Sequence, residues 1–264
     1  MASYEKHFVA FIDFLGFREA LRDRARADVI LGLLQKLAAF SGDFYAESNE
    51  VENGRQSRVR PAISAFSDNI VISYRIGELE KHGISAFAAV CFLQTIVAYI
   101  AWNAFEARLL IRGGVAVGDL YHAGGVVYGP ALIEAYEMER TLAVYPRVAL
   151  GPSITNSDDY EEWKNVAWQH KDGVAVLDYM LGFVMRMEAS GGHCNTKVKS
   201  WLAEVRAVIE AERTALSAVG NVKAFAKWTW FKWNLEDNLT RINPMVLESD
   251  GPPGDDKTAS PDRA

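Results

Sequence analysis

The chain has 264 residues, half of them hydrophobic and 23% charged; that suits one large domain, or a domain with a small extension, and excludes a disordered chain. Its net charge is −6, and the last seventeen residues supply −3 of it, with Glu248, Asp250, Asp255, Asp256 and Asp262 against Lys257 and Arg263. This balance argues against a nucleic-acid partner, which needs a basic face, and two cysteines, Cys91 and Cys194, exclude a disulfide scaffold and a CxxC metal site.

Residues 1–6 are not followed by an apolar stretch with a cleavage site, so a cytoplasmic location is expected. Residues 7–13 read as a strand, apolar on both faces as a central buried strand should be. Residues 14–17 (Phe-Leu-Gly-Phe) form a turn. A helix is predicted over 18–40, with Leu21, Val29, Leu31, Leu34 and Leu37 as its apolar stripe and Ser41-Gly42 as its stop. The polar stretch 47–58, with Asn53-Gly54, reads as a loop. Residues 59–66 and 70–74 are two short strands, and only Ser67-Asp68-Asn69 separates them, which predicts a tight hairpin.

From His82 to Phe105 there is no Asp, Glu, Lys or Arg. Residues 84–101 are long enough to span a bilayer, but the stretch is Ala-rich and carries Ser85, Gln94 and Thr95. A helix over 83–107, buried in the core or at a subunit interface, fits better, and no membrane partner is expected. A strand follows over 109–117. The order to this point is β-α-β-β-α-β, the ferredoxin-like arrangement of an antiparallel sheet with helices on one face. Residues 126–128 form a further short strand. Gly129-Pro130 opens a helix to about 143, with Pro130 suited to its first turn. Residues 147–150 and 173–177 read as strands, and 197–219 and 222–239 as helices. The expected fold class is α/β (α+β), with a core over 1–180, a helical C-terminal extension over 181–247 packed on it, and a disordered tail over 248–264.

The chemistry centres on two acids. Asp13 ends the first strand, and Asp68 sits in the turn of the hairpin that this topology places beside it. Carboxylates held close together are costly unless a cation neutralises them, and Mg²⁺ prefers carboxylate oxygens together with substrate phosphates. Capping and turn roles for the two residues are the plain alternative. Gly16, between a strand and a helix, permits a phosphate to approach backbone N–H groups.

These residues carry a resemblance. Phe11-Ile-Asp-Phe-Leu-Gly-Phe17 resembles the first metal-binding strand of class III nucleotidyl cyclases, and Ala65-Phe-Ser-Asp-Asn-Ile-Val71 their second metal-binding hairpin. Leu110-Ile-Arg-Gly-Gly-Val-Ala-Val-Gly118 is similar to the core strand that follows, and Tyr128-Gly-Pro-Ala-Leu-Ile-Glu-Ala-Tyr-Glu-Met-Glu139 to the later helix motif. The four pieces stand in the family's order. Their finer pattern, with Tyr145-Pro-Arg147, resembles the pyrimidine nucleotide cyclases of bacterial Pycsar anti-phage systems.

The resemblance implies an enzyme that converts UTP into 3′,5′-cyclic UMP and pyrophosphate, with cyclic CMP from CTP as the alternative. It implies two divalent ions, Mn²⁺ or Mg²⁺, at Asp13, Phe14 and Asp68, and a phosphate cradle from the backbone of Phe14, Leu15, Gly16 and Phe17. It also implies a head-to-tail homodimer with active sites at its interface, and a separately encoded effector protein that the product activates. Purine cyclases read adenine with a Lys and an Asp where this chain has Ser64 and Val126. They hold the ribose and the transition state with an Asn and an Arg where it has Ile133 and Glu137. Arg112, Arg140 and Arg147 are the cations that could serve instead, with structural ion pairing the plainer role for the last two. A catalytically inactive, nucleotide-sensing module is the competing reading. The five histidines lack metal-ligand spacing, and the 228–233 aromatic cluster suits packing better than base stacking.

Overall fold

The computed structural model describes residues 4–39, 46–52, 55–158, 160, 166–180 and 195–246. The tail over 248–264, Cys194, the helix stop at Ser41-Gly42, the Asn53-Gly54 pair and the side chain of Leu37 lie outside the described residues.

Four strands form the heart of the sheet: β1 (Glu5–Leu15), β4 (Ala62–Phe66), β5 (Asn69–Arg75) and β6 (Leu110–Ala123). They lie side by side in the order β4-β5-β1-β6, and every pairing among them is antiparallel. Between β1 and β4 run α1 (Phe17–Ala20), α2 (Arg24–Ala39) and a hairpin of β2 (Ala46–Glu52) and β3 (Arg55–Val59); between β5 and β6 run α3 (Ile76–Lys81) and α4 (Ala86–Glu106). This is the ferredoxin-like β-α-β-β-α-β order, with the two crossovers interleaved.

Past this core the chain widens the sheet. β6 also pairs with β7 (Val126–Tyr128) and, in parallel, with β8 (Val148–Leu150), and β10 (Ala175–Leu177) and β9 (Ala167–Gln169) follow beyond β8. The sheet is therefore mixed. α5 (Pro130–Thr141) and α6 (Pro152–Thr155) come from the same region, and α7 (Asn195–Ala218) and α8 (Val222–Val246) end the described chain.

The apolar run of β1 serves two layers. Phe8, Ala10, Ile12 and Phe14 face α4, whose Leu93, Ile96, Val97, Ile100 and Ala104 are almost wholly buried. Each fully buried large apolar side chain contributes about 1.5–3 kcal/mol, which explains an uncharged helix inside one chain. Among the described residues α4 alone is long and apolar enough to cross a membrane, and most of it is buried against the sheet. Val9 and Phe11 face the other way and meet Ala131 and Ala135 of α5. Trp201, Val205 and Ile209 of α7 and Trp228, Phe231 and Leu235 of α8 join the core on the α4 side.

Four expectations change. The helix over 18–40 is broken: Asp23 accepts from the Ala25 N–H at 2.9 Å and starts α2 afresh. Its buried face is Ile30, Leu33 and Leu34, at i, i+3, i+4, whereas Leu21, Val29 and Leu31 are exposed. The loop over 47–58 is the β2–β3 hairpin, which no alternation of apolar residues announces. Helices cover both faces of the sheet, because α5 lies opposite α4.

Candidate active site at the ends of β1 and the β4–β5 hairpin

Pairing across three strands builds the site. Phe66 pairs with Asn69, so the hairpin turn is Ser67-Asp68, and Ser67 takes a positive φ of 57°. Asn69 of β5 lies directly opposite Asp13, and Arg112 of β6 lies opposite Asp13 on its other side. The Phe14 N–H donates to the Asp68 carbonyl at 3.0 Å, which fixes the turn against the end of β1. Asp13 and Asp68 are thus brought to one end of adjacent strands, both partly buried. The Asn69 side chain donates to Asp68 Oδ1 at 3.1 Å.

Arg112 ties the site to α5. Its Nε donates to Asp13 Oδ2 at 2.8 Å, and another guanidinium nitrogen lies 2.6 Å from Glu139 Oε1, close but poorly aligned for a hydrogen bond. Glu139 reaches Arg112 because α5 lies very close to β6. A Cβ on Gly114 would run into the Ala135 carbonyl oxygen and stand 2.7 Å from Met138 Cβ. The Arg-Gly-Gly motif therefore has a packing role: glycine lets the helix settle on the strand.

Burial raises the pKa of the Glu139 carboxyl, the Arg112 charge pulls it back, and the Asp13 charge pushes it up further. Lys227, on α8, is partly buried and feels the charges of the same group. Burial lowers its pKa, Arg112 lowers it further, and Asp13 and Glu139 draw it up.

The residues of the expected phosphate cradle are mostly committed to structure. Phe14 and Phe17 are buried and stacked, with ring centroids 6.3 Å apart. Leu15 is buried and pairs with Leu110, and the Phe14 N–H is taken by Asp68. Gly16 has φ 90° and precedes α1, which is one turn long.

Ser64 and Val126 lie elsewhere. β6 runs past the start of β1 and folds back with β7, and its His122 lies beside Ser64 and Ser73. His122 Nε2 is 2.9 Å from Ser64 Oγ, His122 Nδ1 is 2.8 Å from Ser73 Oγ, and His7 Nδ1 is 3.1 Å from that same Oγ. Burial lowers both histidines to about 4, helped by Arg75 at His7 and by His7 at His122. Val126 is exposed on β7, and Ile133, Glu137 and Arg140 are exposed on α5. Arg147 is buried. It donates to the Leu142 carbonyl at 2.9 and 2.7 Å and to Asp172 at 2.6 Å, a structural post.

The 228–233 aromatics divide. Trp228 and Phe231 pack on Phe105, while Trp230 stacks on Tyr145 at 5.6 Å and touches His170. Among the described residues no three or more His, Cys, Asp or Glu side chains are grouped to hold a metal ion.

Sequence reasoning passed over Glu139, Lys227 and the His7–Ser73–His122 chain as site residues. Glu139 continues the i, i+4 line of Ala131 and Ala135, a line otherwise apolar and buried, so an acid there was a readable signal. Nothing local to Lys227 marks it.

No family model and no curated protein matches the chain. Among solved structures it is similar to a class III adenylyl cyclase-like ATP-binding protein from Pseudomonas aeruginosa, at 15% identity and a TM-score of 0.39. That likeness covers 68% of this chain and 40% of the other, so the chain spans well under half of that neighbour's length.

Proposed function

We propose that the chain is a nucleotide cyclase of the pyrimidine-specific kind, with its reaction centre at Asp13 and Asp68. One observation carries the reading: the row Asn69–Asp13–Arg112 across three strands, with Asp68 at the adjoining turn, gathers two carboxylates and a guanidinium at one sheet end. The donors Asp13 and Asp68 offer are all oxygen, the chemistry that Mg²⁺ and Mn²⁺ take. Two such ions, held by Asp13 and Asp68, supply Lewis acidity at the ribose 3′-hydroxyl and the triphosphate.

The chain's own groups do the rest. Asp13 and Asp68 would hold such ions, and Arg112, which donates to Asp13 at 2.8 Å, would be the guanidinium near enough to offset the negative charge that grows on the phosphate oxygens. Glu139 keeps hold of the other side of Arg112 and limits its swing. The 3′-oxygen passes its proton to solvent water and attacks its own α-phosphorus, the bond from that phosphorus to the bridging oxygen breaks, and pyrophosphate leaves.

Substrate choice follows the resemblance. The resemblance aligns Ser64 and Val126 with the adenine-reading pair, and neither can make that pair's hydrogen bonds, each worth about 1–3 kcal/mol where a base edge is buried. Uracil and cytosine differ in one exocyclic group, an acceptor or a donor, and a serine hydroxyl serves either. UTP is the preferred substrate and CTP the alternative. The cyclic product serves as a second messenger in anti-phage defence, activating a separately encoded effector.

Incubating the chain with all four triphosphates and Mn²⁺, then identifying the product, tests the reading. Cyclic UMP is expected, and Asp13→Asn and Asp68→Asn each abolish it while the protein stays folded. Cyclic AMP or cyclic GMP as the main product overturns the pyrimidine assignment, and full turnover by either variant overturns the site. A second reading, a nucleotide-sensing module without turnover, draws on the exposed, unsuited Ile133 and Glu137. Triphosphate binding that needs Asp13 and yields no product decides for it.

A further inference from the structure

Where α4 gives way to β6 the chain turns through Ala107 and Arg108, and Arg108 takes a positive φ of 59°. The Arg26 guanidinium donates to the Arg108 carbonyl at 3.0 Å and holds the turn. α7 lies against this junction. Trp102, Phe105 and Glu106 share one face of α4 at i, i+3, i+4, and Trp201 and Glu204 share one face of α7 at i, i+3. The Trp102 and Trp201 rings meet with centroids 5.5 Å apart, and Trp102 stacks on Phe105 at 6.4 Å. A cavity of about 340 Å³ opens where these two faces and Arg108 come together.

Its lining is of two kinds. Trp201 and Phe105 are buried and Trp102 is half-buried, which gives the cavity an aromatic wall. Glu106 and Glu204 line it as well. Both are exposed, and among the described residues neither makes an ion pair or a hydrogen bond. Acids farther along α7 and on α8 are matched: Glu210 meets Arg213 and Lys232, and Glu236 meets Arg206. Arg108 is the one cation among the described lining residues, so two carboxylates against one guanidinium leave an excess of one negative charge. Aromatic faces and carboxylates both attract a cation, so the two kinds of lining favour one class of occupant. The volume lies near the lower end of small-molecule sites, about 300–1,000 Å³, and suits a body of one or two fused rings.

We propose that this cavity is a binding site for a small organic cation with a single positive charge and a flat apolar body, an aromatic amine. Its rings lie against Trp102, Phe105 and Trp201, and its ammonium is held by Glu106 and Glu204. The site is separate from Asp13 and Asp68 and does not rest on the cyclase reading. It also explains why two acids stand unmatched beside buried aromatic residues at the seam between the ferredoxin-like core and the C-terminal helices.

The test is calorimetric titration of the full chain with tryptamine, with its neutral analogue tryptophol, with anionic indole-3-propionate and with methylammonium, which has the charge and no ring. The variants are Glu106→Gln, Glu204→Gln, their double variant and Trp102→Leu. Glu80→Gln, exposed on α3, is the control, and melting temperatures are recorded for all. The expected result is saturable binding of tryptamine at one site, roughly tenfold or more tighter than tryptophol or methylammonium, with no binding of indole-3-propionate. Each single Glu→Gln change weakens tryptamine roughly two- to fivefold, the span of a solvent-exposed charge pair. The double variant binds tryptamine no better than tryptophol, Trp102→Leu weakens both, and Glu80→Gln behaves as wild type with the melting temperatures of the Glu→Gln variants unchanged. No saturable binding of tryptamine up to about 5 mM overturns the inference. Equal affinity for tryptamine and tryptophol in the wild type overturns it by showing an apolar groove with no choice of charge. Tryptamine binding that the double variant leaves intact overturns it by placing the cation elsewhere.

Discussion

Arg112 is the residue on which the site's stability and chemistry both turn. It is 27% exposed and sits between Asp13 and a nearly buried Glu139. Removing it leaves two carboxylates without the cation that both of them meet. Breaking a fully buried pair costs about 3–5 kcal/mol, and solvent reaching this one brings the figure to roughly 1–3 kcal/mol for Arg112→Met. The loss comes from the orphaned acid, so Glu139→Gln in the same background should return most of it in urea denaturation. A double variant no more stable than the single one would show that the Arg112–Glu139 contact is incidental. The buried histidines supply a second residue-scale expectation. His7 and His122 stay neutral when folded, with pKa values near 4 against 6.5 when unfolded. Between those values the unfolded chain binds protons that the folded chain refuses, so stability is complete above about pH 6.5 and falls as pH drops toward 4. The loss is at most about 3 kcal/mol per histidine. Melting curves from pH 7 to pH 4 should therefore drop more steeply for wild type than for His122→Gln. At this scale the sequence singled out Asp13 and Asp68 because each follows an apolar run, and the strand pairing brings both to one end of the sheet. It hid the Ser64–His122 pairing, because only the folding of the β6–β7 hairpin gives His122 that neighbour.

At the scale of elements, the closeness of α5 to β6 decides whether Glu139 can reach Arg112. Gly114→Ala puts a methyl group into the Ala135 backbone and 2.7 Å from Met138 Cβ, where no flexible side-chain end can yield. Overpacking of this kind costs about 1–3 kcal/mol. The shift should also carry Glu139 away from Arg112, so triphosphate turnover should fall with stability. Gly77→Ala is the matched control: nothing lies within 4 Å of its new Cβ and the residue is helical, so neutrality or a slight gain is expected in the same measurement. Elements were legible where one periodicity ruled a stretch, as in β1, the β4–β5 hairpin, α4 and α5. They were misread where local chemistry overrode it. Asp23 restarts a helix that hydrophobicity alone would continue, the β2–β3 hairpin has no apolar alternation to betray it, and three-residue β9 is too short to leave a pattern. α5 was legible as a helix, but its place on the second face of the sheet was missed for a related reason. Residues 131 and 135 are alanines, small because α5 lies so close to the sheet, and small residues give a weak apolar signal.

For the whole molecule, the distribution of apolar surface bears on assembly. The uncharged α4 is satisfied within one chain by β1, β6 and the aromatic residues of α7 and α8, so it makes no demand for a partner. The apolar surface left over is elsewhere. Ile133 is 60% and Tyr136 45% exposed on the outer side of α5, and Val126 and Tyr128 are exposed on β7, where Tyr128 touches Tyr4 and Tyr121. Side chains this large are costly to leave in water along one helix and its neighbouring strand. A twofold dimer formed through α5 and β7 would cover them, and would set the exposed positions Val126, Ile133 and Glu137 against a second copy. Sedimentation should accordingly report a homodimer in the micromolar range. Ile133→Glu should shift it toward monomer without lowering the melting temperature of the monomer's core, and cyclase activity should fall in step with the dimer fraction. A fully active monomer at those concentrations would place the whole reaction within one chain, with Arg112 as its own source of positive charge beside Asp13.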